Sequence, residues 1–278
     1  MTGVAPLIQL RNGAKLPALG LGTYGLTGDA GVASVRTALQ AGYRLLDTAE
    51  NYRNEETVGA GVAASGVPRS EVFVTSKFNR EWHSVDGARK AFQASIERLG
   101  LDYLDLLLIH WPNPDQDQYV DAVRGLQALL EDGLVRAIGT SNFKPAHLRR
   151  VIDETGIVPD VNQIQLSPFH PREEDRAFAA EQGIVIESWT PIGGSGDGLR
   201  SDPVITEIAR AHDKTAAQVI LRWHHQLGLV AIPKSGDPQR QAENLAIFDF
   251  ELTDDELAAI SGLDRRGEGL ADSDRQGH

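Results

Sequence analysis

The sequence predicts an α/β fold, a closed (β/α)₈ barrel of the TIM barrel type, with a β-hairpin at its N-terminus. Short apolar runs alternate with longer segments of helical periodicity along all 278 residues. Eight strand–helix units in this length favour a closed barrel over an open sheet. Asn12-Gly13 separates two short apolar runs, which is a strong hairpin signal. No Pro/Ser-rich linker divides the chain, so we expect a single domain over residues 1–278.

The elements follow one another in a simple order. The hairpin strands, residues 7–10 and 14–17, are expected to plug the amino-terminal mouth of the barrel. The barrel strands are short and apolar and are predicted at residues 18–22, 45–47, 72–77, 104–110, 135–141, 160–165, 185–189 and 230–232. The helices are predicted at residues 30–41, 55–65, 85–99, 119–132, 145–155, 172–182, 203–226 in two pieces, and 238–247. We expect the polar tail, residues 265–278, to be loosely ordered or to form a flap over the barrel mouth.

Composition excludes several classes of function. The chain carries 27 Lys and Arg against 39 Asp and Glu, a net charge of −12, which argues against nucleic acid or anionic lipid as a partner. Cysteine is absent, which excludes disulfides and thiolate chemistry. No apolar run of about 18 residues and no secretion signal is present. We therefore expect a cytoplasmic monomer whose partner is a small molecule.

Three consecutive barrel strands are predicted to end in a titratable side chain. They deliver Asp47, Lys77 and His110, and Tyr52 follows in the loop after Asp47. Because the carboxyl ends of barrel strands face one mouth, these four side chains are expected to converge there. Singly, each has a simpler interpretation: a helix cap for Asp47, a solvated lysine, a histidine satisfied in the core.

Together the four side chains suit proton transfer to a carbonyl oxygen. A tyrosine has an ordinary pKa of about 10, and a nearby ammonium lowers it. Lys77 supplies that ammonium, and Asp47 keeps Lys77 charged and fixed. A neutral His110 donates a hydrogen bond to the substrate oxygen. Tyr52 is then the general acid in reduction and the base in oxidation.

With these residues in hand, the chain resembles the aldo-keto reductase superfamily over roughly residues 5–262. The resemblance lies in GYRLLDTA at residues 42–49, HWP at 110–112, GTSNF at 139–143, VNQ at 161–163 and IPKS at 232–235. Each short motif is weak alone, but the ordered set is specific. Within the superfamily the chain looks like the bacterial 2,5-diketo-D-gluconate reductases and their relatives.

The resemblance implies the same catalytic set and a reduced nicotinamide cofactor extended across the barrel mouth. It implies that Ser141, Asn142 and Gln163 hold the carboxamide of that cofactor. It also implies that Trp189 stacks on the nicotinamide ring, although Trp189 could instead be barrel core, and Asn142 could cap the following helix. The cofactor-binding residues it implies are Gly22, Thr23, Tyr24, Asp47, Ser141, Asn142, Gln163, Trp189, Pro191, Ile192, Gly193, Ser195, Ile232, Lys234, Ser235, Gly236, Arg240, Glu243 and Asn244.

The choice of cofactor depends on the segment after residue 232. By the resemblance, Lys234, Ser235 and Arg240 form a basic pocket for the adenosine 2′-phosphate of NADPH. Asp237 departs from the family pattern. Its carboxylate could repel that phosphate or cap the helix that begins at Pro238, and we favour the cap. NADPH is the expected cofactor, with NADH possible.

We call Asp47, Tyr52, Lys77 and His110 the tetrad. An aromatic pocket over this polar tetrad suits small aldehydes, dicarbonyls or keto sugars. Arg80 or His83 could attract an acidic substrate, although exposed loop charges are usually solvated. The substrate-binding residues we expect are Tyr24, Tyr52, Phe78, Trp82, His110 and Trp111.

The sequence also contains a pattern that favours a different fold. Residues 20–25 fit G-x-G-x-x-G, and Asp47 ends the next strand, as in a Rossmann NAD dehydrogenase. We reject this interpretation because no helix opens at the third glycine and a hairpin precedes the pattern.

Three further classes stay as alternatives to a reductase. A barrel hydrolase lacks a second carboxylate at a strand end, since Glu187 lies two residues before Trp189. A metal enzyme is disfavoured because the histidines are scattered and His224 and His225 are adjacent on one helix, so we expect no metal. A regulatory barrel that binds nucleotide without turnover is disfavoured by the complete tetrad.

Overall fold

The computed structural model describes residues 4–278 and has the predicted barrel. A two-stranded antiparallel hairpin, β1 and β2, precedes eight parallel strands that pair in chain order from β3 to β10. The strands are β1 Leu7–Gln9, β2 Lys15–Pro17, β3 Leu21–Gly22, β4 Leu45–Asp47, β5 Phe73–Phe78, β6 Leu104–Ile109, β7 Val135–Ser141, β8 Val161–Gln165, β9 Val185–Trp189 and β10 Val230–Ile232.

The first and last barrel strands meet and close the sheet. The Gly20 amide donates to the Ala231 carbonyl at 2.9 Å, and the Gly22 amide donates to the Pro233 carbonyl at 3.0 Å. Gly20 has no room for a side chain, since a Cβ there would lie 2.6 Å from Leu45 Cγ. Gly20 and Gly22 therefore lie where the first and last strands of a closed barrel meet, and the Rossmann alternative is wrong.

Helices cover the outside of the barrel and bury one face each against the strands. The region between strands and helices is one continuous apolar core. The helices are α1 Gly28–Ala41, α2 Glu55–Ser65, α3 Val85–Leu99, α4 Tyr119–Glu131, α5 Pro145–Thr155, α6 Glu173–Gln182, α7 Pro203–Ala211, α8 Ala216–Gln226, α9 Pro238–Leu245 and α10 Asp254–Ser261.

The hairpin plugs the amino-terminal end of the barrel, as the sequence predicted. Leu10 and Leu16 are buried in the same apolar cluster as Leu45 and Leu106, which point into the barrel. Asn12, at the hairpin turn, donates from Nδ2 to the Arg136 carbonyl at 2.8 Å. The barrel interior is therefore closed below, and the open mouth lies at the carboxyl ends of the strands.

Most predicted elements are found, with ends shifted by one or two residues. The largest difference among strands is at residues 18–22, which form only the short β3 and an isolated bridge from Leu19 to Ala231. Helix α10 was not predicted, although Thr253 and Glu256 form a capping box that the sequence displays.

Within residues 4–278, none of the helices is long and apolar enough to cross a membrane.

Candidate active site

A cavity of about 790 Å³ opens at the carboxyl-terminal mouth of the barrel, within the size range of small-molecule sites. Its walls come from strand ends and the loops that follow them. Among the predicted site residues, those lining it are Gly22, Thr23, Tyr24, Asp47, Tyr52, His110, Trp111, Ser141, Asn142, Gln163, Trp189, Pro191, Ile192, Gly193, Ser195, Ile232 and Lys234.

The four side chains of the predicted tetrad lie together at the floor of this cavity. Lys77 Nζ is 2.7 and 2.8 Å from the two carboxylate oxygens of Asp47 and 3.4 Å from the Tyr52 hydroxyl. The rings of Tyr52 and His110 are 5.9 Å apart between centroids. Strand ends β4, β5 and β6 position Asp47, Lys77 and His110, and a short 3₁₀ turn, Glu50–Tyr52, positions the phenol.

Burial controls the electrostatics of the tetrad. It lowers the pKa of His110 well below its ordinary value, helped by the Lys77 ammonium, so the imidazole is neutral. Burial alone would lower the pKa of Lys77, but the anionic neighbours, chiefly Asp47, outweigh it and the net pKa is raised. Burial raises the pKa of Tyr52, and Lys77 opposes that rise without cancelling it. The net shift of the Tyr52 pKa is upward, opposite to our expectation. Loss of hydration raises this pKa by more than the Lys77 ammonium lowers it.

A second set of polar side chains surrounds the rim where the carboxamide of a nicotinamide is expected. Asn142 has a left-handed backbone, with φ 64°. Its Nδ2 donates to the His110 carbonyl at 3.0 Å, and its Oδ1 accepts from the Trp189 indole at 2.9 Å. Lys144, not Asn142, is the N-cap residue of α5, so the cap alternative for Asn142 is wrong. Trp189 lines the cavity rather than the barrel core.

Of the residues predicted for the adenosine end, only the exposed Lys234 lines this cavity. Those that do not line it are Ser235, Gly236, Arg240, Glu243 and Asn244. The carboxylate of Asp237 accepts from the Gln239 and Arg240 amides at 2.8 and 3.1 Å, so it caps α9 as predicted.

Two predicted substrate residues lie elsewhere, and those placements were wrong. Phe78 follows Lys77 in β5, and alternate side chains of a strand point to opposite faces. Since Lys77 points into the barrel, Phe78 points out and is completely buried among the surrounding helices. Trp82 does not line the cavity, and its indole donates to the Glu50 carboxylate at 3.0 and 3.1 Å.

Five residues that line the cavity were not predicted from the sequence. They are Asn51, Thr190, Pro233, Arg200 and His278. The first three adjoin predicted site residues, so proximity in sequence was an available signal. Arg200 and His278 carried none, because long-range folding brings them in.

His278 reaches the site because the tail packs as a flap over the mouth. Lys144 Nζ lies 2.7 Å from a carboxylate oxygen of Asp272 and 2.6 Å from a carboxylate oxygen of Asp274. The Arg80 amide donates to the His278 carbonyl oxygen at 3.2 Å. The imidazole of His278 lies 4.7 Å from that of His110 between ring centroids and also contacts Asn51. The last residue of the chain is therefore part of the wall beside the tetrad.

Across the described residues, 4–278, no three His, Asp or Glu side chains are grouped to hold a metal ion.

Comparison with known proteins gives consistent results along almost the whole chain. Residues 18–265 match the model of the Aldo/keto reductase family. The chain is 48% identical over 260 residues to 2,5-diketo-D-gluconic acid reductase B from Corynebacterium sp., covering 94% of both chains. It is 45% identical over 260 residues to methylglyoxal reductase DkgA from Salmonella typhimurium, covering 93% of this chain and 94% of that one. An aldo-keto reductase from Bombyx mori, solved in complex with NADP, superposes with a TM-score of 0.88 at 37% identity and 94% coverage of both chains.

Proposed function

The chain belongs to the aldo/keto reductase family, and on that premise we propose that it reduces the carbonyl group of small aldehydes, dicarbonyls or keto sugars with NADPH. The observation that carries the proposal is the chain of contacts from Asp47 through Lys77 to the hydroxyl of Tyr52, at the floor of an open cavity beside a neutral His110.

Tyr52 is the general acid in this proposal. Its raised pKa keeps the phenol protonated at neutral pH, which suits donation to a carbonyl oxygen as charge develops there. The Lys77 ammonium stabilises the phenolate that is left, and Asp47 holds the ammonium in place. His110, being neutral, orients the carbonyl oxygen by a hydrogen bond.

The cavity residues fit a nicotinamide dinucleotide. At Gly22 a Cβ would lie 3.2 Å from the Ile232 carbonyl oxygen, so a side chain there would be crowded. The Trp189 ring offers a stacking face, Gln163 offers an amide, and residues 191–195 offer a backbone path for a pyrophosphate. When bound, NADPH supplies the hydride that the carbonyl carbon accepts, while this chain binds, orients and donates the proton.

Lys234 is the residue we assign to the 2′-phosphate that distinguishes NADPH from NADH. Its side chain is exposed beside the cavity, and the nearby Asp237 carboxylate is already engaged in capping α9. Lys234→Ala is therefore expected to raise the dissociation constant for NADPH about tenfold and to leave that for NADH within about twofold. Titration by quenching of tryptophan fluorescence measures both dissociation constants. Equal losses of affinity for NADPH and NADH would show that Lys234 does not bind the 2′-phosphate.

The proposed substrate class rests on the side chains that line the cavity and on the substrates for which two relatives are named. Tyr24, Trp111 and His278 surround the tetrad with flat rings, which leaves space for a short polar carbonyl compound. The two enzyme relatives are named for a diketo sugar acid and for methylglyoxal, both dicarbonyl compounds.

A carbonyl panel with each cofactor tests the proposal. We expect NADPH absorbance to be lost with methylglyoxal, simple aldehydes or a diketo sugar acid. Tyr52→Phe is expected to lower kcat by about a thousandfold or more while leaving NADPH binding nearly unchanged. Substantial turnover in this variant would contradict the acid assignment, and no turnover of any carbonyl by the unaltered protein would overturn the proposed reaction.

A further inference from the structure

A carboxylic acid lies inside the barrel directly below the catalytic cavity. Glu187 belongs to β9, is completely buried, and pairs with Gln163 of β8 in the strand register. Gln163 Nε2 donates to Glu187 Oε2 at 3.3 Å and to Asp47 Oδ2 at 2.8 Å. One amide group therefore bridges two buried carboxyl groups, one of which belongs to the tetrad.

The cluster contains one cation for these two acids. The three N–H bonds of the Lys77 ammonium already face four acceptors: both oxygens of Asp47, the Thr48 carbonyl at 2.9 Å and the Tyr52 hydroxyl at 3.4 Å. None is left for Glu187, whose Oε1 has no hydrogen-bond partner in the part of the chain that the structure describes. A buried carboxylate without a cation is far more costly than a neutral carboxyl group, so Glu187 keeps its proton. Burial, with the Asp47 carboxylate beside it, raises the pKa of Glu187 to about 8.

We propose that neutral Glu187 is a positioning residue for the nicotinamide site, holding the amide of Gln163 so that its carbonyl oxygen is presented to the cofactor carboxamide. The inference rests on the proposed function, since it assumes that the cavity holds NADPH. Both N–H bonds of Gln163 are engaged by Asp47 and Glu187, which leaves Oε1 as the free acceptor of a side chain that lines the cavity. Without Glu187 the amide keeps one partner and loses its fixed orientation.

Packing alone does not account for an acid at this position. Replacement of a buried acid by an apolar side chain of similar volume is commonly neutral or stabilising. Glu187→Met is therefore expected to fold with an equal or higher melting temperature, yet to bind NADPH about tenfold more weakly. Glu187→Gln has a neutral acceptor in the same place and is expected to bind NADPH within about twofold of the unaltered protein.

A pH series distinguishes positioning from simple structure. The charged groups that face Glu187 from other strands and loops are Asp47 and Lys77, with the Tyr52 phenol beyond them. The pKa values of Lys77 and Tyr52 are raised above 10.5 and 10, so neither titrates with Glu187. An ionised Glu187 would be a second buried anion beside Asp47 and would compete with it for the Lys77 ammonium, which would disturb the arrangement around Gln163. As pH rises from about 7 to 9.5, the unaltered protein is therefore expected to lose NADPH affinity, while Glu187→Gln stays level.

The experiment measures NADPH dissociation constants by tryptophan fluorescence, with melting temperatures, for the full chain and each variant. Ser188→Ala is the matched control, because Ser188 is the next residue of β9, is buried, and also has an unpartnered side-chain oxygen. It is expected to bind NADPH normally at every pH.

Each outcome decides the inference. Weak binding in Glu187→Met, normal binding in Glu187→Gln and a level pH profile in the latter support it. Unchanged binding in Glu187→Met, or equal losses in both variants, overturns it. If Glu187→Met fails to fold, the pH profile of Glu187→Gln alone decides. If the unaltered protein binds no NADPH, the proposed function fails instead, so the two failures are distinguishable.

Discussion

The two mouths of the barrel differ in how their buried carboxyl groups are paired. At the amino-terminal mouth, Asp105 is paired with Arg69 and Arg136 at 2.8 and 2.9 Å and accepts from the Val74 amide at 2.9 Å. Asp160 likewise accepts from the hairpin residue Asn12 and from a strand amide. These carboxylates tie the hairpin, the strands and the loops to one another.

At the carboxyl-terminal mouth, several buried polar atoms are left without a partner among residues 4–278. They include the Nδ1 atom of His110, the indole nitrogen of Trp111, Oδ1 of Asn51 and Oε1 of Glu187. Unpartnered buried groups cost free energy, and a bound ligand can supply the missing partners. The comparison indicates that one mouth is built for stability and the other for binding.

The largest effect is expected from the cation of the carboxyl-terminal mouth. Lys77→Met leaves the Asp47 carboxylate buried without its partner, which is expected to cost about 3–5 kcal/mol of unfolding free energy. In the proposed reaction it also removes the charge that would stabilise the Tyr52 phenolate, so kcat is expected to fall at least about a hundredfold.

Urea unfolding and steady-state kinetics measure the two losses in Lys77→Met. The double variant Asp47→Asn, Lys77→Met is the control, because it removes both charges and is expected to recover stability without recovering turnover. A single variant that keeps the original kcat would show that the cation does not serve the reaction.

A smaller, purely structural effect is expected at the opposite mouth. Asp105→Asn removes the charge that Arg69 and Arg136 contact. Because both guanidinium groups are partly exposed, the change is expected to cost about 2 kcal/mol of unfolding free energy. Asp105 lies at the start of β6, about 16 Å along the strand from His110, so kcat per folded molecule is expected to stay the same. A fall in kcat without a loss of stability would contradict the assignment of stability to the amino-terminal mouth and of binding to the carboxyl-terminal mouth.

The smallest effect concerns His224, which supports the wall of the carboxyl-terminal mouth. Its Nε2 donates to the Pro191 carbonyl at 3.1 Å, and burial lowers the pKa of His224 to about 3. The unfolded chain binds this proton below about pH 6.5 and the folded chain does not, so the stability is present above that pH and is lost as pH falls toward 3.

Between pH 7.5 and pH 5.5, His224 is expected to remove about 1.4 kcal/mol of unfolding free energy. His224→Gln keeps a donor for Pro191 but does not titrate, so its loss over the same interval is expected to be smaller by that amount. Urea unfolding of both proteins at the two pH values tests this, and parallel losses would refute it.

Local signals in the sequence predicted the barrel and three of its most informative positions. Apolar runs that end in Asp47, Lys77 and His110 identify strand ends, and barrel strands share one mouth whatever the loops contain. The cap at Asp237 was equally local, because an Asp before a Pro begins a helix with its own side chain. Phe78 was misplaced for a local reason as well: strand alternation decides its face, and Lys77 already occupies the inner one.

The fold, the strand ends and the grouping of the tetrad could be predicted from the amino-acid sequence, because they depend on periodicity and on neighbours in the chain. The folded structure was needed to show that His278 joins the wall of the cavity, that Glu187 shares an amide with Asp47, and that the Tyr52 pKa rises. These features depend on which distant groups exclude water from one another. Burial and long-range contact have no signature in a run of adjacent residues, so the sequence could not supply them.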